Sequence, residues 1–241
     1  MAMIEIPTLE GDGSFKAYAA EPEGTPRGAI VVIQEIFGVN EGIRRKCDHW
    51  AGLGYVALAP DLFWRLEPGV ELDPDVPEQF QKALGFLQKL NQDQAIRDIE
   101  ATIREARRLA GGGKVGCVGY CLGGRLAYMT ATRTDIDASV AYYGVGLENI
   151  LGEKHAIARP LMLHIAGADH FVLEEQQRQI HEGLDDHPRV TIHDYPGEDH
   201  GFAAETGKRR SEQAAQLADS RTEAFFAEFV GQGQKSGGGL P

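Results

Sequence analysis

The sequence predicts an α/β fold, in which a mostly parallel sheet is covered by helices. Two observations predict it: short apolar runs rich in β-branched residues recur along the chain, and longer stretches with helical spacing separate them. The runs are apolar nearly throughout, as expected for strands that are buried on both faces. A chain of 241 residues is long enough to bury a substantial core around such a sheet.

Six central strands are predicted, at residues 29–34, 55–59, 114–119, 138–143, 161–166 and 190–195. An earlier pair, around Ile4 and at residues 15–19, is expected to form an antiparallel edge. Apolar residues at helical spacing predict a helix over residues 94–109 and a final helix over 211–230, which Ser211 can cap. The proline-rich residues 66–77 are predicted to form a loop, and such loops often cover active sites.

The domain organisation follows from composition. No internal repeat or interdomain linker is visible, so residues 1–230 are expected to form a single domain. Residues 231–241 contain five glycines and almost no apolar side chains, which predicts a flexible C-terminal tail.

The overall charge excludes several classes of partner. A net charge of −12 gives no electrostatic reason to bind nucleic acid or an anionic membrane. No stretch approaches the roughly 20 apolar residues of a membrane span, and residues 1–7 do not resemble a secretion signal. We therefore expect a cytoplasmic protein, monomeric or homodimeric, whose partner is a small molecule.

Cysteine usage agrees with a reducing compartment. Cys47, Cys117 and Cys121 form an odd and sparse set, so no disulfide is expected. The spacings of common zinc sites are absent, and His164 and His170 near Asp169 do not have them. We expect neither a metal nor a cofactor.

The most informative motif is Gly119-x-Cys121-x-Gly123, which lies between an apolar strand and a segment suited to a helix. This is the spacing of a nucleophile elbow, here with cysteine in the place of serine. The turn projects its central side chain from a strained backbone, and glycines on either side let neighbouring elements approach closely. The start of the helix favours a thiolate, and the NH of Leu122 is available to bind an oxyanion. Alone, the motif is equally consistent with a packed cysteine in a tight turn.

An acid and a histidine follow the elbow, in the chain order of hydrolases that carry a nucleophile elbow. Asp169 comes after the predicted strand 161–166, and His200 comes after the strand 190–195. Each is just beyond the carboxyl end of its strand, the edge where open parallel sheets bind ligands. His170 is the nearest rival to His200 as the base. Asp199 and Glu198 are rivals to Asp169, but they adjoin the histidine and are poorly placed to reach its far nitrogen.

Glu35 is a carboxylate at the end of the buried strand 29–34 and needs a partner there. One interpretation is a salt bridge or helix cap, with Arg44 or Arg45 as the partner. The other is functional, because the loop after this strand supplies the second oxyanion donor in such hydrolases, here the NH of Ile36.

At these residues the sequence resembles the dienelactone hydrolase, or carboxymethylenebutenolidase, family of α/β-hydrolases. The resemblance covers nearly the whole chain, and the segments that carry it are 34–40, 59–63, 113–124, 142–146, 167–171 and 200–202. It implies an α/β-hydrolase fold and a triad of Cys121, His200 and Asp169. It also implies that Glu35 contacts the cysteine and helps convert the resting thiol to a thiolate when substrate arrives.

The same resemblance bears on the substrate. Enzymes of the family hold a substrate carboxylate with two arginines, one soon after the catalytic histidine and one before the long helix. Here Ala204 stands at the first position, and the neighbourhood of Phe80 offers only Lys82 as a base. Lys208 and Arg209 come next in the chain, but nothing in the sequence sets their direction.

The aromatic residues near these motifs predict a pocket for a less charged ester or lactone. They are Phe37, Trp64, Tyr142, Phe171 and Phe202. The leading hypothesis is a hydrolase of small esters or lactones that forms a thioester on Cys121. The alternative is a binding or redox-sensing protein on a hydrolase scaffold, motivated by the two missing arginines.

Overall fold

An eight-stranded sheet organises the computed structural model, which describes residues 2–231. Its strands are β1 (Ala2–Pro7), β2 (Ser14–Ala20), β3 (Ala29–Ile33), β4 (Val56–Pro60), β5 (Val115–Tyr120), β6 (Ala138–Tyr142), β7 (Leu161–Ala166) and β8 (Val190–Tyr195). They are ordered β1-β2-β4-β3-β5-β6-β7-β8. Strand β2 pairs antiparallel with β1 and β4, and the other neighbours are parallel. The carboxyl ends of β3 to β8 therefore meet at one edge.

Helices cover both faces of this sheet. They are α1 (Glu41–Gly52), α2 (Pro77–Lys89), α3 (Gln92–Leu109), α4 (Leu122–Arg133), α5 (Glu174–Leu184) and α6 (Glu212–Phe229), with a 3₁₀ segment at Leu147–Ala156. Apolar residues of α1 and α6 pack in one core cluster, and those of α2, α3, α4 and α5 pack in the other. Asn40 and Asn91 cap α1 and α3 through their side chains.

The predicted α/β class is confirmed, and the predicted strands lie within one residue of the observed ones at most boundaries. Residues 66–76 are irregular apart from a bridge between Gly38 and Glu71, and Pro77 begins α2. Ser211 precedes α6 as expected, but its side chain makes no capping hydrogen bond. Helices α1, α2 and α5 are absent from the prediction. The predicted tail, apart from Gly231, lies outside the described residues.

No helix in the described part of the chain is both long and apolar enough to cross a membrane.

A buried polar network joins the sheet to α6. His164 on β7 is 1% exposed, its Nδ1 lies 2.8 Å from the Tyr195 hydroxyl, and its Nε2 lies 2.9 Å from Thr222 Oγ1. The Thr222 hydroxyl also lies 2.7 Å from the hydroxyl of Tyr142. Burial holds the pKa of His164 well below its ordinary value, so the imidazole is neutral in the folded protein. His164 is thus a hydrogen-bonded core residue, as its position in an apolar strand favours.

This buried histidine predicts a loss of stability in acid. Unfolding lets His164 take up a proton below about pH 6.5, so the free energy of unfolding falls with pH by up to about 1.4 kcal/mol per unit for this group. Chemical denaturation at pH 7.5, 6.5 and 5.5 should show a shallower pH dependence in His164→Phe than in the wild type. His155→Gln, at an exposed histidine, is the control and should keep the wild-type slope. Equal slopes in all three proteins would contradict the prediction.

Candidate active site

Cys121 lies at the sharp turn between β5 and α4. Its backbone has φ 58° and ψ −115°, a left-handed conformation that side-chain-bearing residues rarely adopt. Its NH donates to the carbonyl of Tyr142 on the neighbouring strand at 3.0 Å. The side chain is 8% exposed at the carboxyl edge of the sheet. The chain thus presents the sulfur at the amino end of α4, where the helix dipole stabilises negative charge.

The two flanking glycines are required by close backbone contacts. A Cβ atom on Gly119 would lie 1.8 Å from the carbonyl oxygen of Gly123, and a Cβ on Gly123 would lie 2.3 Å from the carbonyl oxygen of Ile33. Both distances are far below any real contact. The turn therefore depends on the Gly-x-Cys-x-Gly spacing for steric reasons.

His200 and Asp169 meet at the same edge from two other strands. Asp169 follows β7, His200 follows β8, and His200 Nδ1 lies 2.9 Å from Asp169 Oδ2. The other oxygen of Asp169 accepts hydrogen bonds from the NH groups of Phe171 and Val172, at 2.8 and 3.2 Å. Asp169 is thereby fixed, and it orients the imidazole. The Nε2 atom of His200 is buried and has no hydrogen-bond partner among residues 2–231.

The electrostatic environment favours a protonated imidazole. Burial lowers the pKa of His200, but the neighbouring Cys121 sulfur and the Asp169 carboxylate outweigh it and raise the pKa to about 10. The sulfur is therefore close enough to interact with the ring. The imidazole therefore holds a proton in the physiological range and can donate it.

Glu35 is held by Arg209 in a two-pronged ion pair. Arg209 Nη1 and Nη2 donate to the two carboxylate oxygens at 3.0 and 3.1 Å, and Glu35 is 7% exposed. The expected partners were wrong, because Arg44 pairs with Glu71 and Arg45 pairs with Glu41.

The contact of Glu35 with Cys121 that the resemblance implies is not among the hydrogen bonds of the described chain. A guanidinium binds a carboxylate more strongly than a thiol can, which explains the difference. Burial lowers the pKa of Arg209, but the charge of Glu35 outweighs it and raises the pKa above its ordinary value.

The loop between His200 and α6 carries Arg209 to this position. The NH of Ser211 donates to the carbonyl of Phe202 at 2.9 Å, which closes the loop at its base. Within this loop, Glu205 accepts a hydrogen bond from Lys46 of α1 at 2.8 Å. Lys46 is 5% exposed and also lies 3.3 Å from Asp219 of α6. A buried ammonium group thus ties the loop to both helices on this face.

The two predicted oxyanion donors are both free. Leu122 is the first residue of α4, so its NH has no acceptor within the helix. Ile36 follows Glu35 in the loop after β3. Within residues 2–231 neither NH group donates a hydrogen bond to the protein. Both are 5% exposed or less.

Three of the five predicted pocket aromatics lie at this site. The ring of Phe171 packs edge-on against His200 at 4.9 Å and is 44% exposed. Phe37 lies beneath the guanidinium of Arg209, whose central carbon is 5.4 Å from the ring centre. Phe202 is buried behind the site and contacts Tyr143 at 5.5 Å.

The other two aromatics were wrongly assigned to the pocket. Tyr142 is fully buried, and its hydroxyl bonds to Asp219 and Thr222 of α6, so the ring packs under the helix. Trp64 donates to Asp98 of α3 at 3.0 Å and stacks on Phe15 of β2. It lines a different cavity of about 270 Å³ beside β1 and β2.

Tyr143 is a site residue that was not predicted. It follows β6 with φ 37°, and its ring packs against His200 at 5.1 Å. The signal was available, because Tyr142 and Tyr143 both stand at the carboxyl end of a central strand. What the sequence could not show is that the left-handed turn at Tyr143 directs this ring to the histidine.

The rival residues form a separate pair. His170 Nδ1 lies 2.7 Å from Asp199 Oδ1, and both side chains are 58% exposed. Together with Asp169 they place three potential metal-ligand atoms within 4.8 Å of one another. Asp169, however, already bonds to His200 and to two NH groups, which leaves His170 and Asp199 as the exposed members of this group.

The sequence model of the dienelactone hydrolase family matches residues 15–230 of this chain. The chain belongs to the dienelactone hydrolase family. It is 43% identical over 234 residues to an Azospirillum brasilense protein assigned as a carboxymethylenebutenolidase, covering 96% of this chain and 100% of that one. It is 38% identical over 225 residues to the carboxymethylenebutenolidase of Pseudomonas putida, covering 93% and 95%.

A solved structure agrees with these relatives. The crystal structure of a Klebsiella pneumoniae protein assigned to the dienelactone hydrolases has a TM-score of 0.80 and 27% identity, covering 95% of this chain and 100% of that one. The fold is the α/β-hydrolase fold, as the resemblance implied. The chain is thus a carboxymethylenebutenolidase-like hydrolase, and its family implies a small ester or lactone as substrate.

The glycine contacts predict a steric effect at the elbow. Gly123→Ala should lower the free energy of unfolding by about 3 kcal/mol or more, because its methyl group meets the backbone of β3. Hydrolysis of an activated ester should fall with it. Gly85→Ala, in α2 where a Cβ meets nothing within 4 Å, is the matched control and should be neutral or stabilising. A Gly123→Ala protein as stable as the wild type would contradict the close approach.

The charge on the sulfur predicts a change in the titration of His200. Cys121→Ser replaces the group whose negative charge raises the pKa of the imidazole, so that pKa should fall below about 10. NMR titration of histidine ring nitrogens in the wild type and the variant measures it. The exposed His155 should titrate identically in both proteins. An unchanged His200 pKa would mean that the sulfur and the imidazole do not interact.

Proposed function

We propose that this chain hydrolyses small esters or lactones with Cys121 as nucleophile, His200 as acid and base, and Asp169 as the orienting carboxylate. The observation that carries the proposal is the arrangement at the elbow. A cysteine held in a left-handed turn lies beside an imidazole whose Nδ1 is bonded to a buried carboxylate. The Nε2 of that imidazole is buried and unpartnered. Nucleophile, base and orienting group are the three parts that covalent hydrolysis needs.

In the proposed first half-reaction, the Cys121 sulfur forms a bond to the carbonyl carbon. The carbonyl π electrons move to its oxygen, where the NH groups of Ile36 and Leu122 stabilise the charge. When the carbonyl re-forms, the ester C–O bond breaks, and the leaving oxygen takes the proton held by His200. A thioester on Cys121 results.

The second half-reaction regenerates the enzyme. His200, now neutral, accepts a proton from a water molecule as the water oxygen attacks the thioester carbon. The same two NH groups stabilise the second oxyanion. Its collapse breaks the C–S bond and releases the carboxylic acid product, and the thiolate again faces a protonated imidazole. Asp169 keeps Nδ1 bonded throughout, so that Nε2 is the atom that exchanges protons.

Arg209 supports a substrate that carries its own carboxylate. Neither position expected from the resemblance supplies a base at the site: Ala204 is buried and apolar, and Lys82 pairs with Glu67 at 2.9 Å. Arg209 reaches the site from farther along the chain and lies within electrostatic range of Cys121. Relatives named carboxymethylenebutenolidase fit such a substrate. We therefore propose an anionic ester or lactone, in place of the less charged one expected from sequence.

Glu35 then has a place in the cycle. A substrate carboxylate that binds the unpartnered Nε of Arg209 draws the guanidinium away from Glu35, which is then free to turn toward Cys121. When the resting sulfur carries a proton, a Glu35 carboxylate beside it accepts that proton, which leaves the thiolate that attacks the carbonyl. This is the role that the family resemblance implies for it.

We further propose that the enzyme works in the cytoplasm. The three cysteines are unpaired, and Cys47 and Cys117 are fully buried thiols. Burial raises the pKa of Cys47 above its ordinary value, and raises that of Cys117 to about 12, so both stay protonated and unreactive. Such a protein needs no oxidising compartment to fold.

The nucleophile is tested by removing the sulfur. Cys121→Ala should reduce kcat for an activated aryl ester by at least about a thousandfold, because attack by water alone replaces covalent catalysis. Cys47→Ala removes a buried thiol far from the elbow in sequence and is the control, expected to keep kcat within about threefold. Mass spectrometry of wild type quenched during turnover should show an acyl adduct on Cys121. Full turnover by Cys121→Ala would overturn the proposal, and labelling of Cys121 without turnover would favour a binding or redox-sensing protein.

The carboxylate site is tested with two matched esters, 4-nitrophenyl glutarate monoester, which is anionic, and neutral 4-nitrophenyl pentanoate. Arg209→Met should raise KM for the anionic ester by roughly 10- to 100-fold, since a charge-assisted bond is lost. KM for the neutral ester should change much less. Lys208→Met, at the exposed neighbour in the same loop, should leave both values near wild type. Equal effects on the two esters would show that Arg209 does not select for charge.

A further inference from the structure

Three buried polar atoms without partners are gathered at one place. Six side-chain nitrogen or oxygen atoms in residues 2–231 are buried and make no hydrogen bond, and three of them belong to His200, Arg209 and Tyr143. Burying a donor without an acceptor destabilises the folded state, so native proteins rarely leave such groups unpaired. Nε2 of His200 has a task in the proposed chemistry. The Nε of Arg209 and the hydroxyl of Tyr143 have no assigned acceptor.

Tyr143 has a second unfavourable feature, in its backbone. Its φ of 37° lies in the left-handed region, and among the described non-glycine residues only Cys121 shares this sign. Strained residues of this kind concentrate at active sites and ligand-binding positions. Packing of the ring against His200 and Phe202 offsets part of the cost of this backbone conformation. A phenylalanine at this position would pack in the same way, so the packing does not explain why the residue carries a hydroxyl.

The Tyr143 side chain packs against His200 and lies among the charged groups of the site. Burial raises the pKa of Tyr143 well above its ordinary value, Glu35 and Cys121 raise it further, and Arg209 opposes them. The group is therefore a neutral donor throughout the physiological range. Both oxygens of Glu35 already accept from Arg209, and Glu35 makes no hydrogen bond to Tyr143 in the described chain. The protein thus supplies no acceptor for this donor.

We propose that the Tyr143 hydroxyl is a specificity-determining donor that binds the substrate carboxylate together with Arg209. Two buried, unpartnered donors within electrostatic range of each other, one of them cationic, match the two oxygens of a carboxylate. The ligand class is a small ester or lactone with a carboxylate a few atoms from the scissile carbonyl. This inference rests on the proposed function for its substrate, but not for the position of the two donors.

The test uses a substitution that removes only the hydroxyl. Tyr143→Phe keeps the ring against His200 and removes an unsatisfied buried group, so thermal stability should be equal to or higher than that of the wild type. Tyr55→Phe and Tyr128→Phe are matched controls, because their hydroxyls are also buried and unpartnered but belong to core residues elsewhere. All three variants delete the same atom from the same kind of environment.

The expected result separates the two esters used above. In Tyr143→Phe, KM for the glutarate monoester should rise about tenfold, with KM for the pentanoate and kcat for both esters within about threefold of wild type. The two control variants should leave all four constants near wild type. Unchanged KM values in Tyr143→Phe would overturn the inference. An equal fall in kcat for both esters would also overturn it, because the hydroxyl would then serve the reaction at the carbonyl.

A binding measurement distinguishes this inference from the proposed chemistry. Calorimetric titration of glutarate, a dicarboxylate, into Cys121→Ala needs no turnover. Adding Tyr143→Phe to that background should weaken glutarate binding about tenfold, and adding Tyr128→Phe should not. If Cys121→Ala retained full turnover, the proposed nucleophile would fail while this comparison still decided the role of Tyr143. Equal glutarate affinities in all backgrounds would overturn the inference even if Cys121 proved to be the nucleophile.

Discussion

The candidate site depends on one steric constraint, the close approach of the β5–α4 turn to its neighbours. The backbone at Cys121 is left-handed, the carbonyl of Gly123 lies where a side chain on Gly119 would be, and α4 packs directly against the end of β3. The same approach directs the amino end of α4 at the sulfur. It also brings the loop after β3, with Glu35 and Ile36, alongside the elbow. Thiol, oxyanion donors and carboxylate are thus positioned by a single packing contact.

Several features around that contact destabilise the folded protein, through electrostatics and through backbone conformation. An ion pair between Glu35 and Arg209 is largely removed from water, and breaking such a pair without replacing a partner is strongly unfavourable. Tyr143 adds a strained backbone and an unpaired hydroxyl. These features make little sense as contributions to stability. They fit the proposed site, in which an anionic ligand accepts hydrogen bonds from donors that have no partner within residues 2–231.

Much of this site could be predicted from the sequence, and the limits have physical causes. The order of Cys121, Asp169 and His200 after three strands was sufficient to predict that they lie at one edge, because parallel strands bring their carboxyl ends together there. The partner of Glu35 was not predictable, since the direction of Arg209 is set by a loop anchored through Glu205 on a distant helix. The choice between Tyr142 and Tyr143 depends on a single left-handed residue. Trp64 was misplaced because its indole NH bonds to Asp98, which leads it away from the site.

The loop that carries Arg209 is anchored by residues far from it in the sequence. Lys46 of α1 pairs with Glu205 of this loop and also with Asp219 of α6. The segment between His200 and α6 is therefore not an independent module. Transplanted alone into a related hydrolase without a cation at the matching position of the first helix, it would keep the pair between Glu205 and Arg210 but lose its tie to that helix. In this chain the position of Arg209 therefore depends on two segments about 160 residues apart in the sequence.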